Sequence, residues 1–349
     1  MATRAPRGTR LIARAFTRAA IRTMTLTLAL LWSASANAEI GIAQFRVGDP
    51  AGSDLAWTLF YPAETGSATT EIGPYSVSGR IGAGMKDGRF PLIVISHGSG
   101  AGMLSHHDTA SYLAINGFVV AAVEHAGDNY RDASGLGRIS TAFRRAREVS
   151  QVIDAVLDGA YGHAIDRDRI GVIGYSTGTV TALLLAGAEA DFSALADYCV
   201  GTDNPSALCA GGGRRVADAP QTGSTRDARI DAILLLAPIA TMFGGEMIEL
   251  TTPVGIIAAG ADEQLPAADH ANVLSRMIKP LTLFEAIPLA GHHIFLAPCS
   301  AELKASKPDI CTDPPLVDRQ REHALLNSLI VSFFNHALAS NPQLVARIR

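Results

Sequence analysis

Arg169-Ile-Gly-Val-Ile-Gly-Tyr-Ser-Thr-Gly-Thr-Val-Thr-Ala-Leu-Leu-Leu-Ala186 is the stretch that decides how this chain reads. As far as Gly174 it has the apolar character of a short buried strand, and from Thr179 to Ala186 that of an apolar helix. Between them, Gly174-Tyr175-Ser176-Thr177-Gly178 sets a serine on the strand-to-helix turn, with a glycine two residues to either side. Such a turn strains the serine backbone and presents its hydroxyl at the carboxyl edge of a sheet. It also brings neighbouring chain too close for a Cβ at either glycine.

Working outward, continuous apolar runs recur at Pro91–Ser96, Phe118–Val123, Ile230–Leu236, Val254–Ala259 and Leu281–Ala286. Runs of this kind suit parallel strands covered on both faces. Helical patterns alternate with them. In Ile139–Leu157, Phe143, Ala146, Val149, Ile153 and Val156 form one stripe, with Arg144, Arg147, Glu148, Gln151 and Asp154 opposite. A last helix, about Asp318 to Ala339, carries Leu325, Leu329 and Phe333 in the same way. Two alternating runs, Gln44–Val47 and Leu55–Tyr61, predict antiparallel strands at a sheet edge, and the glycine-rich stretch from Thr65 to Gly88 reads as loop. The pattern predicts an α/β fold: one domain over 39–349, a mostly parallel central sheet with helices on both faces. Gly187 to Arg229 breaks the alternation and reads as a small cap-like insertion over the sheet's carboxyl edge.

Composition bounds the function. Of 349 residues, 48% are hydrophobic and 18% charged, which describes a globular chain with a large core. Residues 1–38 differ in kind. Six arginines and no acid precede the apolar run Met24–Trp32, and Ala36-Asn37-Ala38 ends it. This predicts a signal peptide too short in its apolar part to span a bilayer, with a mature chain from Glu39 that is periplasmic or secreted. An organellar transit peptide is the alternative. Losing six positive charges takes the formal net charge from −4 to −10, a poor basis for binding nucleic acid or an anionic membrane. Four cysteines form two local pairs, Cys199 with Cys209 and Cys299 with Cys311, and export makes two short disulfide loops the expectation. Metal binding competes weakly, because neither pair has zinc-finger spacing.

A serine nucleophile needs a base, a group to orient that base, and donors for the developing oxyanion. Asp262 follows the strand Val254–Ala259 and is the candidate acid. Glu263 is its rival, and a helix cap for the segment after Leu265 is the competing role. His292, in Pro288-Leu-Ala-Gly-His-His-Ile-Phe295, is the candidate base, with the adjacent His293 expected to point away. The backbone N–H groups of Thr177 and of Ser99, in His97-Gly-Ser-Gly100, are the candidate oxyanion donors, and His97 is placed to brace that loop. Ser105-His-His-Asp108 reads better as a helix start capped by Ser105 than as a metal site. His323 and His336 fall on a surface-type helix, and His163 and His270 in polar turns.

The elbow, together with Val94-Ile-Ser-His-Gly-Ser-Gly100, Ser105-His-His-Asp-Thr-Ala110, Glu124-His-Ala-Gly-Asp-Asn-Tyr-Arg-Asp132 and Gly291-His-His-Ile-Phe-Leu-Ala-Pro-Cys299, resembles the bacterial α/β-hydrolases grouped as dienelactone-hydrolase-like or platelet-activating-factor-acetylhydrolase-like proteins. The resemblance covers nearly all of the chain after residue 38. It implies an α/β-hydrolase fold, a serine carboxylic-ester hydrolase with Ser176, Asp262 and His292 as its triad, no cofactor or metal, and a small-molecule ester as substrate. It also implies that the Cys299 to Cys311 loop is a family feature beside the histidine. Dienelactone hydrolases use a cysteine where this chain has Ser176, so their lactone is not carried over. The elbow continues Gly178-Thr179 where the family often has Gly-Gly. Short acyl esters are the expected substrates; amide cleavage, a cutinase-like polyester hydrolase and a non-catalytic binding protein are the alternatives.

Overall fold

A computed structural model describes residues 39–48, 54–64, 68–201, 207–209 and 224–339. The expected signal peptide over 1–38 lies outside the described residues, as does much of the expected cap, at 202–206 and 210–223. The chain opens with β1 (Glu39–Gly48) and β2 (Asp54–Ala63), then β3 (Thr69–Ile72), β4 (Tyr75–Ser78), β5 (Arg80–Ile81) and β6 (Phe90–Ser96). Next come α1 (His107–Ile115), β7 (Val119–Glu124), α2 (Ile139–Asp158), β8 (Ile165–Tyr175), α3 (Thr177–Ala186) and α4 (Ser193–Gly201). β9 (Ala232–Leu236), β10 (Ile248–Ala259), α5 (Ala271–Met277) and β11 (Ile278–Ile287) follow. A 3₁₀ turn (His292–Phe295), α6 (Ala301–Ser306), α7 (Pro308–Cys311) and α8 (Arg319–Ala337) complete the fold.

Nine strands form one sheet in the order β11-β10-β9-β8-β6-β7-β2-β1-β5. The six from β11 to β7 are parallel; β2 runs antiparallel to both β7 and β1 at the expected edge. Strands inside the sheet are apolar throughout because both faces are covered. On one face Val149 and Ile153 of α2, Leu183 of α3 and Leu274 of α5 pack together. On the other, Ala110 and Leu113 of α1 meet Ile330 and Phe334 of α8. β8 serves both, sending Ile170 and Val172 to the first and Ile173 and Tyr175 to the second.

Three local expectations are corrected. The stretch from Thr65 to Gly88 is not all loop: β3 and β4 form a hairpin in which Ile72 pairs with Tyr75 across Gly73-Pro74, and β5 pairs with β1. Gly73 has φ +56, the sign that a tight hairpin turn needs at its first corner. These strands have four residues or fewer, so no period can build up. In α8, Phe333 of the expected stripe is buried, but Leu325 is 62% exposed and Leu329 half-buried; Leu326, Ile330 and Phe334 complete the buried face. Glu148, expected on the outer face of α2, is buried, as is its neighbour Arg145. Both lie beside the apolar stripe and face a buried polar layer under the strand ends.

Candidate active site

The elbow sits at the centre of the sheet, where β8 ends. Ser176 has φ 52 and ψ −120, and its N–H donates to the carbonyl of Leu236 at the end of β9 (3.0 Å). The flanking glycines are there for space. A Cβ on Gly174 would lie 2.2 Å from the Gly178 carbonyl oxygen, and one on Gly178 would lie 2.0 Å from that of Ser96. Thr179, behind Ser176, is fully buried and donates its hydroxyl to the Ser176 carbonyl (2.6 Å).

Ser176 Oγ is 3.1 Å from His292 Nε2, and His292 Nδ1 is 2.8 Å from Asp262 Oδ2. Three strand ends therefore converge: β8 brings the serine, β10 the aspartate and β11 the histidine. His292 and Asp262 are buried, while Ser176 is half-buried. Glu263 plays a different part, its Oε2 accepting the His292 backbone N–H at 3.1 Å. A Cβ on Gly291 would lie 2.9 Å from that same oxygen, so a glycine there leaves Glu263 room to approach. The Tyr175 hydroxyl donates to the His292 carbonyl (3.1 Å), and its ring packs 5.2 Å from the imidazole.

His293 does not point away. It lines the same cavity as Ser176, with Nδ1 3.4 Å from the Tyr175 hydroxyl and Nε2 3.0 Å from the Gln264 amide nitrogen. Burial, aided by His292, lowers its pKa. Ser105 does not cap α1; its hydroxyl accepts the Gly102 N–H within the preceding turn (3.0 Å). His323 is buried in α8, not on a surface face: Nδ1 meets Asp108 Oδ2 and Nε2 donates to the Ile294 carbonyl (2.6 Å). His270 is buried too, and burial pushes its pKa down to about 4.

A cavity of about 890 Å³ opens over Ser176 and His292. Gly98 to Gly102 and Thr177 line it on the elbow side, and Leu303, Lys307 and Ile310 line it from the chain between Cys299 and Cys311. That pair is disulfide-bonded, and so is Cys199 with Cys209. From the expected cap, Leu208 lines the cavity. Three other apolar residues of that stretch lie elsewhere: Leu195 is in the core, Phe192 packs on Phe143 of α2, and the Tyr198 ring lies against His270.

A parallel sheet carrying a serine elbow at its carboxyl edge, with an acid and a histidine from later strand ends, defines the fold. This chain has the α/β-hydrolase fold. A family model described as platelet-activating factor acetylhydrolase, isoform II, matches residues 67–151 of this chain. That segment holds the 97–100 loop but not Ser176, Asp262 or His292. The platelet-activating factor acetylhydrolase of Canis lupus familiaris is 31% identical, and that of Bos taurus 29%; each match covers 27% of this chain. The matched region spans 31% of those relatives' length. A ferulic acid esterase from Streptomyces cinnamoneus shares the fold at 20% identity with a TM-score of 0.58, over 89% of this chain and 92% of that one.

Sequence reasoning missed a buried polar layer beneath the 97–100 loop, made of Ser96, His125, Asp128, Arg145 and Glu148. A signal was present: Arg145 and Glu148 each adjoin an apolar-stripe residue of α2, Ala146 and Val149.

Proposed function

We propose that this protein is a carboxylic-ester hydrolase working through an acyl-enzyme. The observation that carries this reading is the unbroken hydrogen-bond chain Ser176–His292–Asp262 at the floor of the cavity. Ser176 Oγ attacks the ester carbonyl carbon while His292 Nε2 takes its proton. Asp262 holds the Nδ1–H tautomer and stabilises the imidazolium. The backbone N–H groups of Ser99 and Thr177 receive the oxyanion. Thr177 is the first residue of α3, where amides have no acceptor within the helix. Collapse of the tetrahedral species breaks the bond to the alcohol oxygen, which leaves with the proton from His292. Water, deprotonated by the same nitrogen, then attacks the acyl carbon, and Ser176 regains its proton as the acid departs.

Short acyl chains are the favoured substrates in this reading. Leu208, held by the Cys199–Cys209 disulfide, bounds the cavity with Ile239 and Leu265. Each methylene buried there is worth about 0.8 kcal/mol until the acyl side is full, after which overpacking reverses the gain. Residues 1–38 as a signal peptide, with two disulfides, support action in the periplasm or outside the cell. Within this reading 187–229 acts as the cap of a single catalytic domain over 39–349.

Two measurements test the proposal. A fluorophosphonate probe should label Ser176, and Ser176→Ala should abolish labelling; an unlabelled wild type points to a binding protein instead. A p-nitrophenyl ester series should peak between acetyl and butyryl. A rate that climbs steadily to long chains, or rapid release of soluble products from a polyester film, overturns the short-chain preference.

A further inference from the structure

The geometry assigns Arg145 and Asp128 as a buried positioning pair that fixes both halves of the oxyanion hole; this rests on the esterase reading above. Arg145 is 2% and Asp128 4% exposed, and Arg145 Nη1 lies 2.6 Å from Asp128 Oδ2. A buried ion pair of this kind is weak evidence of a stabilising role, because desolvation offsets its attraction. Where its remaining contacts go is more informative.

On the elbow side, Arg145 Nη1 reaches Thr177 Oγ1 at 3.3 Å, and Thr177 contributes one of the two proposed amide donors. On the loop side, Nη2 donates to the His97 carbonyl and to Ser96 Oγ (3.3 Å). Asp128 completes the frame: Oδ1 accepts the Gly100 N–H at 3.1 Å, and Oδ2 lies 3.5 Å from Ser99 Oγ. Ser99 Oγ in turn donates to Thr177 Oγ1 (3.1 Å), so the side chains of the two donor residues touch each other as well as the pair.

Peptide geometry explains what this frame does. The Ser99 N–H belongs to the same planar unit as the Gly98 carbonyl, and in a trans peptide the two point in opposite directions. The Gly98 carbonyl accepts from His97 Nδ1–H (2.7 Å) and from the Ala101 N–H (3.2 Å). His97 is oriented by the His125 N–H on its Nε2 (3.2 Å), and Arg145 holds its carbonyl. Fixing the carbonyl aims the amide. A guanidinium suits this role because one planar fork reaches four acceptors at set angles, which an ammonium cannot.

Wild type, R145K, the charge-free double variant R145M/D128N and T177V should be assayed on p-nitrophenyl acetate and on a trifluoromethyl ketone, whose hemiketal mimics the tetrahedral species. Circular dichroism confirms folding. Loss of a whole oxyanion donor costs about 10²–10³ in kcat, so misalignment should cost R145K and the double variant about 10–100-fold. KM should stay within about threefold, and the ketone's inhibition constant should rise in proportion to the loss of kcat/KM. Folded variants with kcat within about twofold of wild type overturn the inference, and so does lost rate with undiminished ketone affinity. Should neither Arg145 variant fold, T177V decides: a roughly tenfold lower kcat supports the assignment and an unchanged one sinks it. A wild type inert toward every ester would sink the esterase reading itself, and this inference with it.

Discussion

Asp262 divides its two carboxylate oxygens between His292 and its own loop. Oδ2 lies 2.8 Å from the imidazole Nδ1, while Oδ1 accepts the backbone N–H groups of Gln264 (2.9 Å) and Leu265 (2.7 Å). The helix-cap role is not found, because the next helix, α5, begins only at Ala271; Oδ1 closes a loop turn instead, and Oδ2 is left for the role proposed above. Asp262→Asn should keep the loop bonds yet favour the wrong imidazole tautomer, lowering kcat about 10³–10⁴-fold with little change in melting temperature. Glu263→Gln retains an oxygen acceptor for the His292 N–H and should keep kcat within about tenfold. Steady-state kinetics on p-nitrophenyl acetate checks both.

The adjacent imidazoles should separate in the same assay. His292→Ala removes the imidazole that contacts Ser176 and, on the proposed mechanism, should reduce kcat by several orders of magnitude. His293→Ala opens space beside Tyr175 and Gln264, so its main effect should fall on KM, leaving more than about a tenth of kcat. The reverse pattern would reassign the base.

A pH-dependent contribution to stability should come from the contact between α1 and α8. Burial opposes the charge on Asp108 and on His323. Their mutual attraction outweighs it, lowering the Asp108 pKa and raising that of His323. A raised histidine contributes stability fully below its unfolded pKa, about 6.5, and loses it as pH rises through the folded value. The depressed aspartate contributes above its unfolded pKa, about 3.9, and loses it as pH falls through the folded value. His323→Gln should therefore lower the melting temperature more at pH 6 than at pH 9. Equal shifts at both would mean that the pair does not titrate as described.

Removing the Cys299–Cys311 bridge should act on the cavity more than on the chemistry. The loop it closes carries Leu303, Lys307 and Ile310 into the cavity wall, whereas Ser176, His292 and Asp262 rest on strand ends. Cys299→Ser with Cys311→Ser should cost roughly 3 kcal/mol of stability in the chain-entropy model. KM should rise by a larger factor than kcat falls, as judged by melting curves and kinetics side by side.

Much of this was legible because the informative patterns are local. Apolar runs mark doubly covered strands whatever their partners, and the spacing Gly174-x-Ser176-x-Gly178 encodes a turn on its own. What stayed hidden depends on residues distant in sequence. β3 and β4 are too short to show a period and gain definition from pairing with each other. Buried Arg145 looks like any helix arginine until Asp128 and the His97 carbonyl are brought to it. His323 sits in what looks like a solvent-facing stretch, and only the approach of Asp108, 215 residues earlier, makes it a core residue. The reach of 187–229 was hidden as well: Leu195 faces the core, and among the described residues of that stretch Leu208 lines the cavity.

The 2.0 Å that a Cβ on Gly178 would leave to the Ser96 carbonyl has a consequence for how such a protein can diversify. The elbow and the end of β6 are locked backbone to backbone, so neither can drift without carrying the other. The stretches bounded by the two disulfides touch the cavity through side chains and carry none of the three strand ends. Lineages descended from this scaffold would be free to exchange residues there and reshape the cavity, while the elbow and the end of β6 are inherited as a single unit.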